Sequence, residues 1–379
     1  MTSKHKSKQK PLIILTAGGT GGHVYPAEAL AEELTRRKYR LMLVTDQRGR
    51  NNYRGRLGEI PNHAVWAGAL MGKSKWFKIK SLIKTAVGIL QSMWIILRNR
   101  PACVVGFGGY ASFPCSMAAI LLGTDLIVHE QNSVMSRTNR FLGRYATVVA
   151  SSFKKTKYAP GGRKTVLTGM PVRKAISELY TAPYPKVGKT LPFHILVLGG
   201  SQGAKIFSEV IPQAVKNLEA KQQKRIVMVQ QCRREDLDEV SHAYQDAKCS
   251  LTLSHFFDNM PELYAQTHLI ISRSGASSVC EIAAAGVPSL LVPLPTAADD
   301  HQTSNAAEFK STHSGFVIAQ KDFTPAALTA ILNDVMQNPQ LLKTMSENTK
   351  KFAITDAAVR LANLIENKIA ALGKKTAEK

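Results

Sequence analysis

Three glycine-rich stretches, each following a short apolar run, constrain the fold of this chain more than any other feature of its sequence. They read AGGTGGH from Ala17, GFGGY from Gly106 and GGSQGA from Gly199. A strand that ends in glycines and opens into a helix forms an anion site, because the backbone can approach a phosphate and the free helix amides face it. The first and third stretches lie about 180 residues apart. They predict two nucleotide-binding domains and favour an enzyme that brings a phosphate-bearing donor to a second substrate.

Short apolar runs alternate with helical patterns on both sides of one interruption. The runs before it begin at Leu12, Leu41, Val104, Leu126, Thr147 and Val166, and those after it begin at Ile195, Ile226, Leu269 and Ser289. They predict parallel sheets covered by helices on both faces, and so an α/β chain of two doubly wound domains. The interruption, between Arg173 and Pro192, is rich in proline and predicts an interdomain linker.

The composition bears on the compartment and on the kind of partner. Five cysteines without a CxxC pair predict reduced thiols and no disulfide. Residues 1–10 are polar and basic and predict a disordered tail rather than a signal sequence. The longest apolar stretch, Ala86–Leu97, is shorter than the ~20 residues that span a bilayer, so we expect a soluble or peripheral protein. The formal charge of +23 indicates membrane lipid, nucleic acid or a phosphorylated substrate as a partner, unless it serves solubility alone.

A basic, aromatic segment stands inside a long stretch without acids. No Asp or Glu occurs between Ile60 and Thr124. Around residues 70–84 the segment combines Lys73, Lys75, Lys78, Lys80 and Lys84 with Trp76, Phe77, Ile79, Leu82 and Ile83. That combination is typical of a segment on an anionic membrane surface. We expect residues 70–84 to bind the membrane, and the apolar stripe Val87–Leu97 that follows to be a core helix.

His23 closes the first glycine stretch and is the candidate general base. Near a helix N-terminus an imidazole is kept close to its neutral form, which suits proton abstraction. The alternative is a histidine that caps its own helix. The stretch lacks the GxGxxG fingerprint of dinucleotide binding, and Asp46 is only a weak candidate for a ribose contact. No GxxxxGK[ST] motif occurs, which excludes a P-loop.

Two segments of the second half carry further candidates. In Arg273–Glu281, the carboxylate of Glu281 is placed to accept both ribose hydroxyls of a nucleotide whose phosphates lie over the helix N-terminus. The alternative is a solvated glutamate on a helix face. Asp299-Asp300-His301-Gln302 has the residue types of a metal site, but we favour a loop that binds hydroxyl groups. Arg173 is a candidate cation for a departing diphosphate, or else a surface arginine of the linker.

Seven motifs taken together resemble one family, the bacterial peptidoglycan N-acetylglucosaminyltransferases of the MurG type. They are Gly18–His23, Gly106–Tyr110, His129–Asn132, Gly169–Arg173, Gly199–Gly203, Arg273–Glu281 and Asp299–Asn305, in family-like order and spacing. The resemblance implies a GT-B fold, in which two Rossmann-like, doubly wound parallel-sheet domains face a central cleft. It divides the chain into a disordered basic tail (1–10), an N-terminal acceptor and membrane-side domain (11–173), a C-terminal UDP-GlcNAc donor domain (174–351) and a helix that returns to the N-terminal domain (352–379).

The resemblance also implies the reaction. The family transfers GlcNAc, with inversion, from UDP-GlcNAc to the C4 hydroxyl of undecaprenyl-diphosphate-MurNAc-pentapeptide, which converts lipid I to lipid II in peptidoglycan synthesis. No cofactor and no strictly required metal are implied, since UDP-GlcNAc is a substrate. The implied location is the cytoplasmic face of the bacterial inner membrane, as a peripheral protein. The implied partners are anionic lipid and proteins of cell-wall synthesis, with links to cell shape and cell division, and no nucleic acid.

On the acceptor side, residue roles carry over position by position. His23 is the base or an acceptor contact, and Glu130 is a second catalytic candidate near the acceptor. The implied acceptor-binding residues are Gly108, Gly109, Tyr110 and His129. One departure from the family pattern, Met170 where asparagine is frequent, puts local polar contacts in doubt but not the reaction.

On the donor side, the implied contacts are Thr20, Gly21, Gly22, Asn132, Arg173, Ser201, Phe257, Ala276, Ser277, Ser278, Val279, Cys280, Glu281 and Gln302. Among these, Arg173 and Ser201 approach the diphosphate. Phe257 lies where backbone groups read the uracil. Glu281 takes the ribose, and Gln302 takes the hydroxyls of GlcNAc.

Three other functions stay open on the sequence. One is a UDP-sugar-dependent diacylglycerol glycosyltransferase of the same fold, against which His129–Asn132 argues. Another is a nicotinamide-dependent oxidoreductase, which predicts a ribose-binding acid after the second strand rather than in the C-terminal half. The third is a non-catalytic basic module for nucleic acid or membrane, which UDP would not displace from its partner.

Overall fold

The computed structural model describes residues 10–18, 21–52, 55–68, 75–200 and 203–377. The chain forms two compact units. The first comprises Met1–Gln131, Met135–Arg173 and Asp356–Lys379, and the second comprises Asn132–Val134 and Lys174–Thr355. The C-terminal segment of the first unit begins at Asp356 rather than at the predicted residue 352, because the helix that ends at Phe352 belongs to the second unit.

The first unit is built on a sheet of seven parallel strands. They are β1 (Leu12–Thr16), β2 (Arg40–Thr45), β3 (Asn62–Ala64), β4 (Cys103–Gly106), β5 (Leu126–Glu130), β6 (Val148–Ser151) and β7 (Thr165–Leu167). Their order across the sheet is β3-β2-β1-β4-β5-β6-β7, so the direction in which strands are added reverses between β1 and β4. Doubly wound sheets bind ligands outside the carboxyl ends of the strands at such a reversal.

Helices cover both faces of this sheet. They are α1 (Gly21–Arg36), α2 (Gln47–Asn52), α3 (Gly55–Glu59), α4 (Lys75–Asn99), α5 (Phe113–Leu121), α6 (Arg137–Tyr145), a 3-10 helix at Gly162–Lys164 and, at the end of the chain, α16 (Ala357–Ala377). Ile13 and Leu15 of β1 belong to the core that includes residues of α1 and α16. Leu12 and Ile14 belong to the core that includes residues of α4, α5 and α6. Burial on both faces is why the strand reads as one continuous apolar run.

The last helix completes the first unit. Leu361, Ala362 and Ile365 of α16 are fully buried in the core that α1 also lines. Arg37, next to the end of α1, donates to Asn363 Oδ1 at 2.7 Å and to Glu366 Oε2 at 2.6 Å. The helix is therefore an integral part of the first unit although it comes last in the sequence.

Helix α4 has small residues on its inner face and large apolar residues on its outer face. Its buried residues are Ser81, Thr85, Gly88, Ser92, Ile95 and Ile96. A Cβ on Gly88 would lie 1.7 Å from the carbonyl oxygen of Trp66, so the backbone of α4 approaches its neighbour closely there. The predicted core stripe in Val87–Leu97 is therefore wrong, since Leu90 and Trp94 are 66% and 61% exposed.

By length and composition, α4 is the one helix among the described residues that is long and apolar enough to cross a membrane. About a third (33%) of its most apolar window is buried within the protein. The apolar stretch Ala86–Leu97 is too short to cross a bilayer by itself, but the helix that contains it begins at Lys75 and includes the lysine-rich segment.

The second unit repeats the architecture of the first with six parallel strands. They are β8 (Phe193–Leu198), β9 (Ile226–Gln231), β10 (Ser250–Ser254), β11 (Leu269–Ser272), β12 (Ser289–Leu291) and β13 (Gly315–Val317). Their order is β10-β9-β8-β11-β12-β13, with the reversal between β8 and β11. The prediction of two doubly wound parallel sheets is confirmed.

The helices of the second unit surround a single large core. They are α7 (Lys174–Ser177), α8 (Lys205–Lys216), α9 (Ala220–Gln223), α10 (Leu237–Ala243), α11 (Met260–Gln266), α12 (Ala276–Ala285), α13 (His301–Lys310), α14 (Pro325–Gln337) and α15 (Pro339–Phe352). Short 3-10 helices lie at Glu178–Thr181, Arg234–Asp236, Ala298–Asp300 and Gln320–Asp322.

Side chains of Lys, His and Arg residues in the second unit form hydrogen bonds with the backbone of the proline-rich segment after Arg173. The contacts to its backbone oxygens join Lys350 to Ala182 (2.7 Å), His268 to Lys186 (3.2 Å), and Arg225 to Gly188 (2.6 Å) and Leu191 (2.9 Å). Burial lowers the pKa of His268 to about 4, which keeps the ring neutral beside its backbone partners. The predicted linker is thus an ordered part of the second unit.

Candidate active site

The first two glycine stretches meet at His23. They follow β1 and β4, the two strands on either side of the reversal in the first sheet. A Cβ on Gly18 would lie 3.5 Å from His23 Cδ2, and a Cβ on Gly109 would lie 3.3 Å from the same atom and 3.5 Å from Nε2. The imidazole therefore lies against the backbone of both loops. This places the candidate base at the carboxyl edge of the sheet, where a ligand of this unit is expected.

Tyr110 anchors the second glycine loop to the end of β2. Its hydroxyl donates to Asp46 Oδ2 at 2.8 Å, and the Arg48 guanidinium lies 5.3 Å from its ring centroid. Gly108 and Gly109 have φ values of +82° and +76°, a conformation that favours glycine. Asp46, the weak ribose candidate, is buried and engaged in ordering this loop.

His129 is fully buried beneath these loops. Its Nε2 lies 3.2 Å from the Gly169 carbonyl oxygen, and its Nδ1 lies 3.1 Å from Gln131 Nε2. Burial lowers the pKa of His129 to about 4, so the ring is neutral near pH 7. The ring has no exposed surface and is held by these two contacts, and its predicted contact with the acceptor stays a prediction.

Glu130 is also fully buried. Its Oε2 accepts hydrogen bonds from the backbone N–H of Ser136 (3.0 Å) and from Asn139 Nδ2 (2.8 Å). The Asn139 side chain in turn lies next to Gly108, where a Cβ would be 3.1 Å from Nδ2. The carboxylate thus orders the start of α6 and, through Asn139, supports the second glycine loop. The predicted role of Glu130 in catalysis beside the acceptor stays a prediction.

The guanidinium of Arg173 lies over the face of an aromatic ring. Its guanidinium carbon lies 4.9 Å from the ring centroid of Tyr25, a cation–π arrangement. Glu28, on the next turn of α1, is half-buried, and burial together with the charge of Glu32 raises its pKa, while a hydrogen bond with the Arg56 backbone and the charge of Arg173 oppose that shift. Arg173 was predicted from the sequence, but no sequence signal pointed to Tyr25, the ring that packs against it.

In the second unit, the start of α12 is an open helix N-terminus. Gly275 is its N-cap residue, and a Cβ there would meet nothing within 4 Å among the described residues. The amides of Ala276, Ser277 and Ser278 belong to the first turn, where backbone N–H groups have no helical acceptor. This end follows β11, beside the reversal in the sheet, and has the features of a phosphate site.

The later residues of α12 differ in whether their side chains or only their backbone groups can contact a nucleotide. Val279 is fully buried in the core, so only its backbone is available. Burial raises the pKa of the Cys280 thiol to about 12, with the charge of Glu281 adding to the shift. Glu281 is 7% exposed, and its Oε2 accepts a hydrogen bond of 3.3 Å from the hydroxyl of Tyr264. The carboxylate therefore has a defined orientation.

Gln302 and Arg273 shape the loop that follows β12. Gln302 Oε1 accepts from the backbone N–H of Leu294 at 3.0 Å, which fixes the orientation of its amide. Arg273 is buried and donates to the carbonyl oxygen of Val292 (3.1 Å) and to Gln320 Oε1 (2.7 Å). Arg273 thus joins β11 to the neighbouring loops.

The Asp299–His301 part of this loop is exposed at its acids and turns sharply. Asp299 and Asp300 have φ values of +51° and +53°, and His301 Nδ1 lies 2.8 Å from the Ala298 carbonyl oxygen. Among the described residues, no group of three or more His, Cys, Asp or Glu side chains is placed to hold a metal ion.

Asn305 is a site residue that the sequence analysis missed as an individual. It is fully buried, its Oδ1 accepts from Ser133 N–H and Oγ at 2.9 Å each, and its Nδ2 donates to Asn132 Oδ1 and the Ser274 carbonyl at 3.1 Å each. It therefore orients the amide of Asn132, a predicted donor contact, beside the loop before α12. The sequence could have indicated Asn305, because it follows Gln302 by three residues on α13, and residues at that spacing lie on one face of a helix.

Six predicted positions remain to be placed. Thr20 and Ser201, and Lys73 of the basic segment, lie outside the described residues, as does most of the predicted tail. Phe257 follows β10 and is partly exposed, while Gly21 and Gly22 open α1.

The fold and these sites define a two-domain glycosyltransferase. The N-terminal domain model of glycosyltransferase family 28 matches residues 13–151, and the C-terminal domain model of that family matches residues 194–361.

Relatives at high identity narrow the class further. The chain is 44% identical to the UDP-N-acetylglucosamine–N-acetylmuramyl-(pentapeptide) pyrophosphoryl-undecaprenol N-acetylglucosamine transferase of Paramagnetospirillum magneticum, over 95% of this chain and 97% of that protein. It is 43% identical to the enzyme of the same name from Rhodospirillum rubrum, over 93% and 91% of the two chains. The crystal structure of Acinetobacter baumannii MurG superposes with a TM-score of 0.75 at 31% identity, over 94% of this chain and 99% of that one. This chain belongs to the MurG family of N-acetylglucosaminyltransferases.

Burial of His129 makes the stability of the protein fall as the pH falls. Its pKa is about 4 in the folded chain against an ordinary 6.5, so between these values the unfolded chain binds more protons than the folded one. We expect this residue to lower the free energy of unfolding by up to about 1.4 kcal/mol per pH unit as the pH falls through that window. Urea unfolding at pH 7.5 and pH 5.0 measures the loss.

The matched variants are His129→Gln and His242→Gln, the latter at an exposed position of α10. The first should show a smaller loss between the two pH values than the unsubstituted protein, although it is less stable at pH 7.5. The second should lose as much as the unsubstituted protein. An undiminished loss in His129→Gln would show that this ring does not titrate as its burial requires.

Proposed function

We propose that this protein transfers GlcNAc from UDP-GlcNAc to the C4 hydroxyl of undecaprenyl-diphosphate-MurNAc-pentapeptide, with inversion at the anomeric carbon. The observation that carries the proposal is the 44% identity, over 95% of the chain, with a transferase named for that acceptor. The first unit supplies a histidine against two glycine loops, and the second supplies an open helix N-terminus. These are the groups that an inverting transfer from a nucleotide sugar needs.

The transfer is a single displacement. The acceptor oxygen attacks the anomeric carbon, the bond to UDP breaks, and the proton of the acceptor hydroxyl passes to a base. We assign the base to His23, because its ring lies against the glycine loops at the carboxyl ends of β1 and β4, where a doubly wound sheet is expected to bind its ligand. His129 and Glu130 support those loops from below.

The departing UDP needs stabilisation of its diphosphate. We assign this to the first-turn amides of α12, whose partial positive charge favours an anion, and to Arg173, whose guanidinium lies over the ring of Tyr25. These groups carry positive charge of their own, and we expect the transfer to proceed without an added divalent cation. Asn132 and Gln302 are assigned to the sugar of the donor, and the backbone near Phe257 to the uracil.

A transfer assay tests this function. The purified protein is incubated with radiolabelled UDP-GlcNAc and a lipid I analogue, with EDTA in one arm, and labelled lipid is quantified. We expect labelled product in both arms, and none with diacylglycerol as the acceptor. Labelled diacylglycerol in place of labelled lipid I analogue would support the alternative acceptor and contradict the proposal.

The role of His23 predicts a specific kinetic defect. His23→Gln should lower kcat about a hundredfold or more, the usual contribution of a general base, with little change in the donor KM. The matched control is His63→Gln on β3 of the same unit, which should leave kcat unchanged. A near-normal kcat in His23→Gln would remove this residue as the base.

We further propose that the outer face of α4 contacts the cytoplasmic surface of the inner membrane. Its exposed apolar residues are Trp76, Phe77, Ile79, Leu82, Ile83, Leu90, Trp94 and Leu97. Lys75, Lys78, Lys80 and Lys84 are exposed on the same helix. Apolar side chains enter the lipid interface while lysines pair with anionic headgroups, so the protein is held peripherally, near its lipid-linked acceptor and the proteins of cell-wall synthesis.

Charge neutralisation on α4 tests the membrane contact. Replacing Lys75, Lys78, Lys80 and Lys84 with Gln should weaken binding to phosphatidylglycerol vesicles about tenfold or more, since each lysine near such a surface contributes ~1 kcal/mol. The control replaces four exposed lysines of the second unit, Lys221, Lys224, Lys248 and Lys321, and so makes the same change in net charge. Equal sedimentation of the two variants with the vesicles would contradict a specific role of α4.

A further inference from the structure

The carboxylate of Glu281 has a fixed neighbour on a different helix. Tyr264 lies in α11 and is 1% exposed, and its hydroxyl donates to Glu281 Oε2 at 3.3 Å. Glu281 itself is 7% exposed, so the two groups meet in a largely dry environment. The two oxygen atoms are 3.3 Å apart, farther than in a strong charge-assisted hydrogen bond, but in a buried setting the contact still limits where the carboxylate can turn.

The orientation of this carboxylate matters for what it can bind. A ribose presents two neighbouring hydroxyl groups, and a carboxylate binds both only when its plane faces them. The side chain of Glu281 is attached to α12, whose N-terminus is assigned to the diphosphate, so the distance from ribose to phosphate fixes where the carboxylate must lie. Such a group binds well when its position is set before the ligand arrives.

We propose that Tyr264 is a positioning residue for nucleotide recognition, holding the Glu281 carboxylate in the orientation that accepts the ribose hydroxyls. The inference rests on the proposed function, since it takes Glu281 as the ribose contact. The ligand that this carboxylate recognises is a uridine diphosphate with both ribose hydroxyls present. A purely structural role for Tyr264, joining α11 to α12 in the core, is the competing explanation.

Tyr264→Phe separates the two explanations, because it removes one hydroxyl and keeps the ring that fills the core. Calorimetry measures the Kd of UDP and of 2′-deoxy-UDP for each variant, and steady-state assays give the donor KM. We expect UDP to bind about tenfold more weakly, the scale of a lost hydrogen bond to a charged group, while 2′-deoxy-UDP changes about twofold or less. The preference for UDP over 2′-deoxy-UDP should therefore fall, which a structural role would not cause.

The chain offers a matched control. Tyr244 is also buried in the second unit, and its hydroxyl donates to Gln230 Oε1 at 2.8 Å. Tyr244→Phe makes the same chemical change with a comparable loss of a buried hydrogen bond, and it should leave the preference for UDP over 2′-deoxy-UDP intact. If Tyr264→Phe and Tyr244→Phe keep the same preference, the inference is overturned.

Glu281→Gln distinguishes failure of the inference from failure of the proposed function. Loss of the UDP preference in Glu281→Gln but not in Tyr264→Phe leaves Glu281 as the ribose contact and overturns only the role of Tyr264. An unchanged preference in Glu281→Gln overturns the assignment of Glu281 and the inference with it. In the Glu281→Gln background, adding Tyr264→Phe should change the preference further by less than about twofold, because residues that act through one another are not additive.

Discussion

The turn from a parallel strand into the following helix is the feature on which both units depend. At the end of β8 the turn is so tight that a Cβ on Gly199 would lie 2.6 Å from the backbone nitrogen of Ala204. On the first unit, Gly109 leaves room for the His23 ring in the same way. Glycine at these positions lowers the stability of the chain through its conformational freedom, and the continuous burial of the strands on both faces offsets that cost. The fold itself thus supplies backbone amides that can bind an anion. The side chains around them supply the acid–base and charged groups.

Beneath these turns lies a layer of buried polar groups that position the loops. His129 and Glu130 have no exposed surface, and each is bonded to a backbone group of a neighbouring segment. Asn305 does the same for Asn132, with both ends of its amide engaged. An unpaired polar group inside a protein is costly, so a buried network of this kind holds one arrangement strongly. A polar residue inside a functional motif therefore has two physical explanations, contact with the ligand or support of the residues that make contact.

Local sequence pattern was enough to predict the sheets and the loops, because strand burial and glycine turns depend on residues close in the chain. The runs beginning at Leu12 and Ile195 became the central strands β1 and β8, and the first glycine stretch placed His23 at the start of α1. The hydrogen bond from Tyr264 to Glu281 spans 17 residues, and the one from Asn305 to Asn132 spans 173. Such pairs depend on how whole helices pack against each other, and the sequence pattern around each residue does not predict them. The depth of His129 and Glu130 could not be predicted for the same reason, since it depends on elements that the local pattern does not include.

Helix α4 shows how close packing can reverse the usual reading of an amphipathic pattern. Gly88 and Ser92 face the protein, because the backbone there lies against Trp66 and leaves no space for larger side chains. The apolar residues are then left for the outer face, where Leu90 and Trp94 remain in contact with solvent. Exposed apolar surface costs about 25 cal/mol per Å² relative to burial, so a large apolar face is stable only beside something that covers it. The formal charge of +23 and the lysines at the start of the same helix favour an anionic cover. The face that packs through small residues and the exposed apolar face are therefore two results of one constraint, the close approach of α4 to its own unit.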